Sequence, residues 1–349
     1  MKKLILALLC LCLAPLSFAQ DKRYWGNTAL NDVHGIYWTY KTYHAGIVDP
    51  GSGDFYYKLY ANYRKYSKKA YKVKTEAQYQ KVLKDYMKAF NDGHVFVVFD
   101  KDITPAKDAK DLRALRHPLA VEMFGGNNAW VYLPTFDVPT DTYKNFAPEL
   151  EKAKNADIIV LDLRYNTGGN SYNGDIVLEA LYGKDFAQNN KNKVYKNQRR
   201  YIRLSDFSVN AIKQKYHADY AQKVEEAFKR GETIYWNEPY AGEYKEMEPP
   251  LKSKVYVLTD GNCFSACLNF MDQLKGIKGI TQIGHETGGD TKYMEMSYAP
   301  LNSNLGKFAI SYVGYTNRPR KDNETYKPDL KYKDDISDTA KIQQWILAI

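Results

Sequence analysis

Asp157-Ile158-Ile159-Val160-Leu161-Asp162-Leu163-Arg164-Tyr165-Asn166-Thr167-Gly168-Gly169-Asn170 is the stretch on which the reading of this 349-residue chain turns. Positions 158–161, uncharged and dominated by branched side chains, read as a strand buried on both faces. Asp162 and Arg164 close it on alternate positions and are expected to form a structural ion pair bracing the turn that follows. Asn166 to Gly169 make that turn. Two adjacent glycines accept φ > 0 and let backbone approach a bound group closely. Their N–H groups are therefore suited to holding a developing oxyanion. An ordinary strand-to-helix turn uses the same residues, and the motif alone does not separate the two.

Upstream, 32–46, 55–71 and 75–90 read as amphipathic helices. Val33, Ile36, Tyr37, Tyr40 and Tyr43 share a face of the first, and Thr75 caps the third. They stop at Asn91-Asp92-Gly93-His94, followed by a strand at 95–99. A hairpin is expected over 119–133, then a helix at 141–154 leading into the quoted strand. Downstream, 174–182 and 207–230 read as helical. The basic segment 191–203 is expected to be a solvated surface element. Strands are expected at 254–259, 280–284 and 308–313, with a helix over 265–274. This alternation argues for an α/β layered core.

Composition narrows the class. With 44% hydrophobic and 26% charged residues, the chain suits a packed, folded protein. Lys2 and Lys3, an apolar run over 4–13 and Ser17-Phe18-Ala19 form a secretory signal pattern, so an exported mature chain is expected from Gln20, periplasmic or secreted. Cys10 lacks the small residue expected before a lipidated cysteine, which makes lipoprotein anchoring the second choice. No later run approaches the ~18 apolar residues of a membrane span. The formal charge of +9 would suggest nucleic acid inside a cell; in an exported chain it reads as solubility or acidic surfaces, and no nucleic-acid partner is expected. Cys263 and Cys267 are read as four apart on one helical turn, poorly placed to pair, and are expected to be small apolar filler. No metal-ligand spacing, P-loop or dinucleotide fingerprint is present, and neither metal nor cofactor is expected.

Asp162-Leu163-Arg164-Tyr165-Asn166-Thr167-Gly168-Gly169 resembles the Asp-Leu-Arg-x-Asn-x-Gly-Gly signature of the tail-specific (C-terminal-processing) serine peptidases, which include the tricorn core and the interphotoreceptor-retinoid-binding-protein repeats. The likeness runs from about Asp32 to about Asp329. It implies a crotonase-like (ClpP/crotonase) α/β core over 95–349, preceded by a small helical domain over 20–94 and the signal peptide at 1–19. The interval between His94 and Asp157 is too short for the PDZ domain that several members carry. A polypeptide substrate follows from the resemblance.

Strand, turn and helix around Ser265 put a hydroxyl at a helix N-terminus, where N–H groups and the macrodipole favour an alkoxide; by itself this serine is equally a helix cap. Ser265-Ala266 occupies the place of the family's nucleophile and following alanine, while Leu268 stands where the family often has Glu. For the base, the resemblance offers two solutions. Asp290 stands where the lysine of one branch sits, with Lys292 two places on; the histidine of the other branch is present as His94, whose reference pKa suits neutral-pH base work. His94 is the expected base and Lys292 the runner-up. Asp322, six residues before Pro328, is the expected orienting acid, with Glu324 as the alternative. Gly169 and Ala266 are the expected oxyanion donors, and Gly168 and Asn166 the expected substrate contacts. A non-catalytic peptide- or ligand-binding protein, or an esterase or amidase using the same serine, are the competing readings.

Overall fold

The computed structural model describes residues 24–51, 54–104, 112–240 and 242–349. The expected signal peptide lies outside the described residues. Helices α1 (Tyr24–Tyr43), α2 (Asp54–Ala70) and α3 (Glu76–Lys88) open the chain. Each buries an apolar stripe at helical spacing: Val33, Ile36 and Tyr40 on α1, Leu59 and Tyr66 on α2, Tyr79, Leu83 and Tyr86 on α3. Thr75 caps α3, its hydroxyl accepting from the Gln78 N–H at 3.2 Å. α1 starts at Tyr24 rather than Asp32 because Trp25 and Ala29 continue the buried stripe.

Next come β1 (Val97–Phe99), α4 (Leu112–Leu115), β2 (Ala120–Phe124), β3 (Asn128–Tyr132), α5 (Thr140–Ala153) and β4 (Ile158–Asp162). The chain continues through α6 (Ser171–Tyr182), α7 (Lys184–Val194), β5 (Arg199–Arg203), α8 (Asp206–Lys215), α9 (Ala218–Lys229) and β6 (Ile234–Trp236). It ends with β7 (Lys254–Thr259), α10 (Ala266–Lys275), β8 (Ile280–Gly284), β9 (Tyr293–Pro300), β10 (Gly306–Thr316), β11 (Leu330–Lys331) and α11 (Thr339–Leu347).

The strands form two sheets, making a mixed α/β fold. The first, in order β11-β8-β7-β4-β3-β2, is parallel except for the antiparallel edge strand β2. Period-two alternation divides its side chains. Val131, Ile159, Leu161 and Val257 pack against α5, α6 and α10 on one face. Trp130, Val160, Tyr256 and Leu258 meet Ile342 and Ile346 of α11 on the other. The second sheet is antiparallel, in order β1-β10-β5-β6, with β9 also on β10. Tyr201, Phe308 and Ile310 join the core of α1–α3, whereas Ile202 and Val313 pack with α8 and α9.

Three expectations need correction. The segment 191–203 is not a solvated excursion: β5 pairs with β10 and β6, and Tyr201 and Ile202 are fully buried. The 207–230 helix is two helices, because Tyr216 turns to extended backbone (φ −121°, ψ 162°) after α8. Cys263 and Cys267 form a disulfide, with 5.3 Å between their Cα atoms. Cys263 precedes α10 instead of lying on it, so the chain reversal at Ser265 carries it back to the first turn of the helix. No described helix is long and apolar enough to cross a membrane.

Candidate active site

The C-terminal ends of the adjacent strands β4 and β7 carry the two turns singled out by sequence, and ligand crevices of parallel sheets lie at such ends. After β4, Asn166 is fully buried; its Nδ2 donates to Leu133 O at 2.8 Å and its Oδ1 accepts from Gly168 N–H at 2.9 Å. Both ends of this amide shape the turn. Gly168 (φ 96°) and Gly169 (φ 130°) adopt the positive φ that the turn demands. A Cβ on Gly168 would come within 2.8 Å of Ala266 N and 2.9 Å of Ser265 Cβ. One on Gly169 would meet Asp137 N at 2.1 Å, because Gly169 forms a bridge to Phe136.

After β7, Asp260 ties the two turns together, accepting from Asn262 N at 2.9 Å and from Tyr165 N at 3.2 Å. Phe264 N–H donates to Asn166 O at 3.3 Å. Ser265 then takes φ 56° and ψ −119°, and its side chain makes no cap bond to α10. Its Oγ lies 3.2 Å from His94 Nε2 instead. A non-glycine residue at positive φ carries strain of about 1–3 kcal/mol and persists only where its surroundings over-determine it.

His94 reaches this point from the end of the α1–α3 segment, just before β1. It is buried, and its ring sits 4.7 Å from that of Phe264. Gly93 makes the approach possible, since a Cβ there would fall 2.4 Å from Phe264 Cζ. The other ring nitrogen, Nδ1, is buried without a hydrogen bond, and Asp92 Oδ1 lies 3.6 Å from it. Asp92 also accepts from His94 N–H at 2.8 Å and from Thr291 Oγ1 at 2.7 Å. Burial acts to raise the Asp92 pKa, but hydrogen bonds and charge from His94, with the Thr291 hydroxyl, outweigh it and hold the carboxyl below its ordinary value. An ionised carboxylate thus faces the far side of the ring.

The acids and the lysine expected from the resemblance are engaged elsewhere. Asp322 Oδ1 accepts from Lys292 N–H at 2.8 Å, and Glu324 Oε2 from Lys321 N–H at 2.6 Å. Lys292 Nζ is 2.6 Å from Asp49 Oδ2. Asp290 is fully buried against Arg318 and Arg320. The acid beside His94 is Asp92, not Asp322. Asp92 carries no assigned role in the sequence pattern; its signal is the Asp-Gly-His spacing, in which the glycine lets a carboxylate fold back on the ring two residues later. Asp162 and Arg164 do pair, with Arg164 Nε 2.9 Å from Oδ1 and Nη2 2.5 Å from Oδ2. The pair braces the C-terminal segment more than the glycine turn, since Arg164 also donates to Ile336 O at 2.6 Å and Thr339 Oγ1 at 2.8 Å. Among the described residues no group of three or more His, Cys, Asp or Glu side chains is arranged to hold a metal ion.

A mixed α/β fold with a serine at a helix entry and a histidine at hydrogen-bond distance has the layout of a nucleophile–base site. A family model described as Peptidase family S41 matches residues 127–331, more than half of the chain. The protein belongs to this family of tail-specific peptidases, as the signature at 162–169 implied. Solved structures agree at the level of fold. Mature CPAF is 10% identical, with 92% of this chain and 96% of that one covered and a TM-score of 0.57. Its complex with lactacystin is 12% identical, with 92% and 98% covered and the same TM-score of 0.57. A CPAF point mutant is 10% identical, with 93% and 96% covered and a TM-score of 0.59. No curated protein matches the sequence.

Proposed function

We propose that this chain is an exported serine-type peptidase that cleaves polypeptides through an acyl-enzyme on Ser265. In this reading a small helical domain, 20–94, supplies the base to a crotonase-like core, 95–349. The observation that carries it is the 3.2 Å contact between Ser265 Oγ and His94 Nε2, made by a serine held at φ 56° with no capping bond. A serine that served only as a helix cap would take β-region backbone and accept from the following turn.

Ser265 Oγ attacks the carbonyl carbon of the scissile bond while His94 Nε2 takes its proton. Asp92 holds the ring and stabilises the imidazolium as it forms. Gly169 N–H and Ala266 N–H hold the oxyanion; the glycine turn reaches the nucleophile through Gly168, where a Cβ would lie 2.8 Å from Ala266 N and 2.9 Å from Ser265 Cβ. His94 then gives its proton to the leaving amine, and water, deprotonated by the same ring, releases the acyl group. Export is supported by the signal pattern at 1–19, and a disulfide next to the nucleophile suits an oxidising compartment.

A fluorophosphonate probe tests the reading. It should label the mature protein at Ser265, and Ser265→Ala should abolish labelling without unfolding the chain. A folded protein that stays unlabelled would favour a binding protein on the same fold.

A further inference from the structure

Asp92 serves the His94 ring only while its carboxylate is kept from turning about χ2, a soft torsion in this side chain. One oxygen is fixed locally: Oδ1 accepts from His94 N–H at 2.8 Å and lies 3.6 Å from Nδ1. The other is fixed from far away in sequence. Thr291, buried in the connection between β8 and β9, brings Oγ1 to 2.7 Å from Asp92 Oδ2.

The chemistry of the partners sets the direction of this bond. Thr291 Oγ1 also lies 3.2 Å from Tyr293 N–H. An amide N–H can only donate, so that contact occupies a lone pair of the hydroxyl. An ionised carboxylate can only accept, so the single hydroxyl proton of Thr291 points at Oδ2. Bonds of this charge-assisted kind are roughly twice as strong as neutral ones. The Asp92 side chain is 4% exposed, so little solvent stands ready to replace a lost donor, and a buried acceptor left unfilled is costly.

The same connection reaches the nucleophile. Gly288 N–H donates at 3.1 Å to the carbonyl of Cys263, two residues before Ser265. A Cβ on Gly288 would lie 3.0 Å from Cys263 O and 3.1 Å from Gly261 O, so the backbone runs flush against the serine's turn. Asp290, between these contacts, is anchored by Arg318 and Arg320. The short stretch 288–291 therefore touches the serine's turn at one end and the acid at the other. Resting on the peptidase reading, we propose that Thr291 is a positioning residue, whose hydroxyl anchors the Asp92 carboxylate against the His94 ring and so keeps the base in line with Ser265.

Inactivation of the mature full-length protein by a fluorophosphonate probe tests this, because kinact and KI do not depend on how much of the preparation is folded. Thr291→Val keeps the shape and removes the hydroxyl. It should lower kinact by roughly tenfold to a hundredfold and leave KI unchanged. Thr291→Ser restores the donor and should recover most of kinact, which a role in packing alone would not give. In an Asp92→Asn background Thr291→Val should cost much less than in the wild type, since residues of one network are not additive. Unchanged kinact in Thr291→Val, a loss that serine does not rescue, or full additivity with Asp92→Asn overturns the positioning role while the peptidase reading stands. No labelling of Ser265 in the wild type overturns both.

Discussion

His94 has to present Nε2 to Ser265, and the residue that sets this is Asp92, whose carboxylate lies 3.6 Å from Nδ1. Asp92→Asn keeps the shape but removes the charge that stabilises the imidazolium. It should lower kcat by roughly 10²–10⁴ with little change in KM. Asp322→Asn and Lys292→Ala should change kcat much less, since the Asp322 carboxylate accepts from Lys292 N–H and the Lys292 ammonium pairs with Asp49. Steady-state kinetics on the three variants checks the assignment; equal losses for Asp92→Asn and Asp322→Asn would contradict it. Because the folded Asp92 pKa lies below its ordinary value, its contribution is present above the ordinary carboxylate range and is lost only as pH falls through that lower pKa. Gly169→Ala is a poor probe of the oxyanion donors, because its Cβ would meet Asp137 N at 2.1 Å and shift the turn itself. The glycine turn was legible from residue types and spacing, whereas Ser265 and His94 were singled out through the family resemblance. Asp92 was not assigned, because the resemblance directed attention to an acid more than 200 residues away in sequence; the tight turn that brings Asp92 back on the ring, closed by Val95 N–H donating to Asp92 O at 3.1 Å, leaves no periodic trace.

Among elements, the β7–α10 connection concentrates the strain. The Cys263–Cys267 disulfide spans Ser265, closing a short loop whose loss costs about 2 kcal/mol by loop entropy. Cys263→Ala/Cys267→Ala should lower the thermal unfolding temperature and slow fluorophosphonate labelling of Ser265, measured on one preparation. An unchanged labelling rate would mean that the clasp stabilises the fold without holding the nucleophile. The turn after α1 titrates. His44 is fully buried, its ring stacked 3.9 Å from that of Phe55, and burial pushes its pKa down to about 3. A histidine kept neutral on folding gives stability that is present above about pH 6.5 and fades as pH falls toward 3, by roughly 1.4 kcal/mol per unit at most. Thermal unfolding between pH 7 and 4 should show this slope, and His44→Asn should flatten it. The parallel strands β4, β7 and β8 were legible because each is a short run of mostly apolar residues, whereas the two exposed residues of β11 were not. Tyr293–Pro300 and Arg199–Arg203 were not, since they carry Glu295 and three arginines; both owe their strand state to pairing with β10, β9 as the adjacent hairpin strand and β5 from more than 100 residues away in sequence.

For the whole molecule, the site exists only where the two sheets meet: His94 leads into β1 of one, and Ser265 follows β7 of the other. Asp92 Oδ2 accepts from Thr291 Oγ1 at 2.7 Å, tying the approach to β1 to the connection that runs from β8 into β9. Arg320, nearly inaccessible, joins Asp272 of α10 to Asp290. Arg320→Leu leaves buried Asp272 without its cation and Asp290 with Arg318 alone, and should destabilise the protein by about 3–5 kcal/mol, read by denaturant or thermal unfolding. A neutral result would mean that Arg318 alone carries both acids. This architecture was only partly legible, because an alternating α/β pattern announces the parallel sheet but not an antiparallel one assembled from segments more than 200 residues apart. The central claim is that Ser265 forms the acyl-enzyme with His94 as its base, and the mass of the enzyme quenched during turnover of an activated ester tests it most directly. An acyl adduct on the peptide containing Ser265, formed in the wild type and slowed by orders of magnitude in His94→Ala, is the expected result. Turnover with the adduct elsewhere, or an adduct on Ser265 that forms at the same rate without His94, would contradict it.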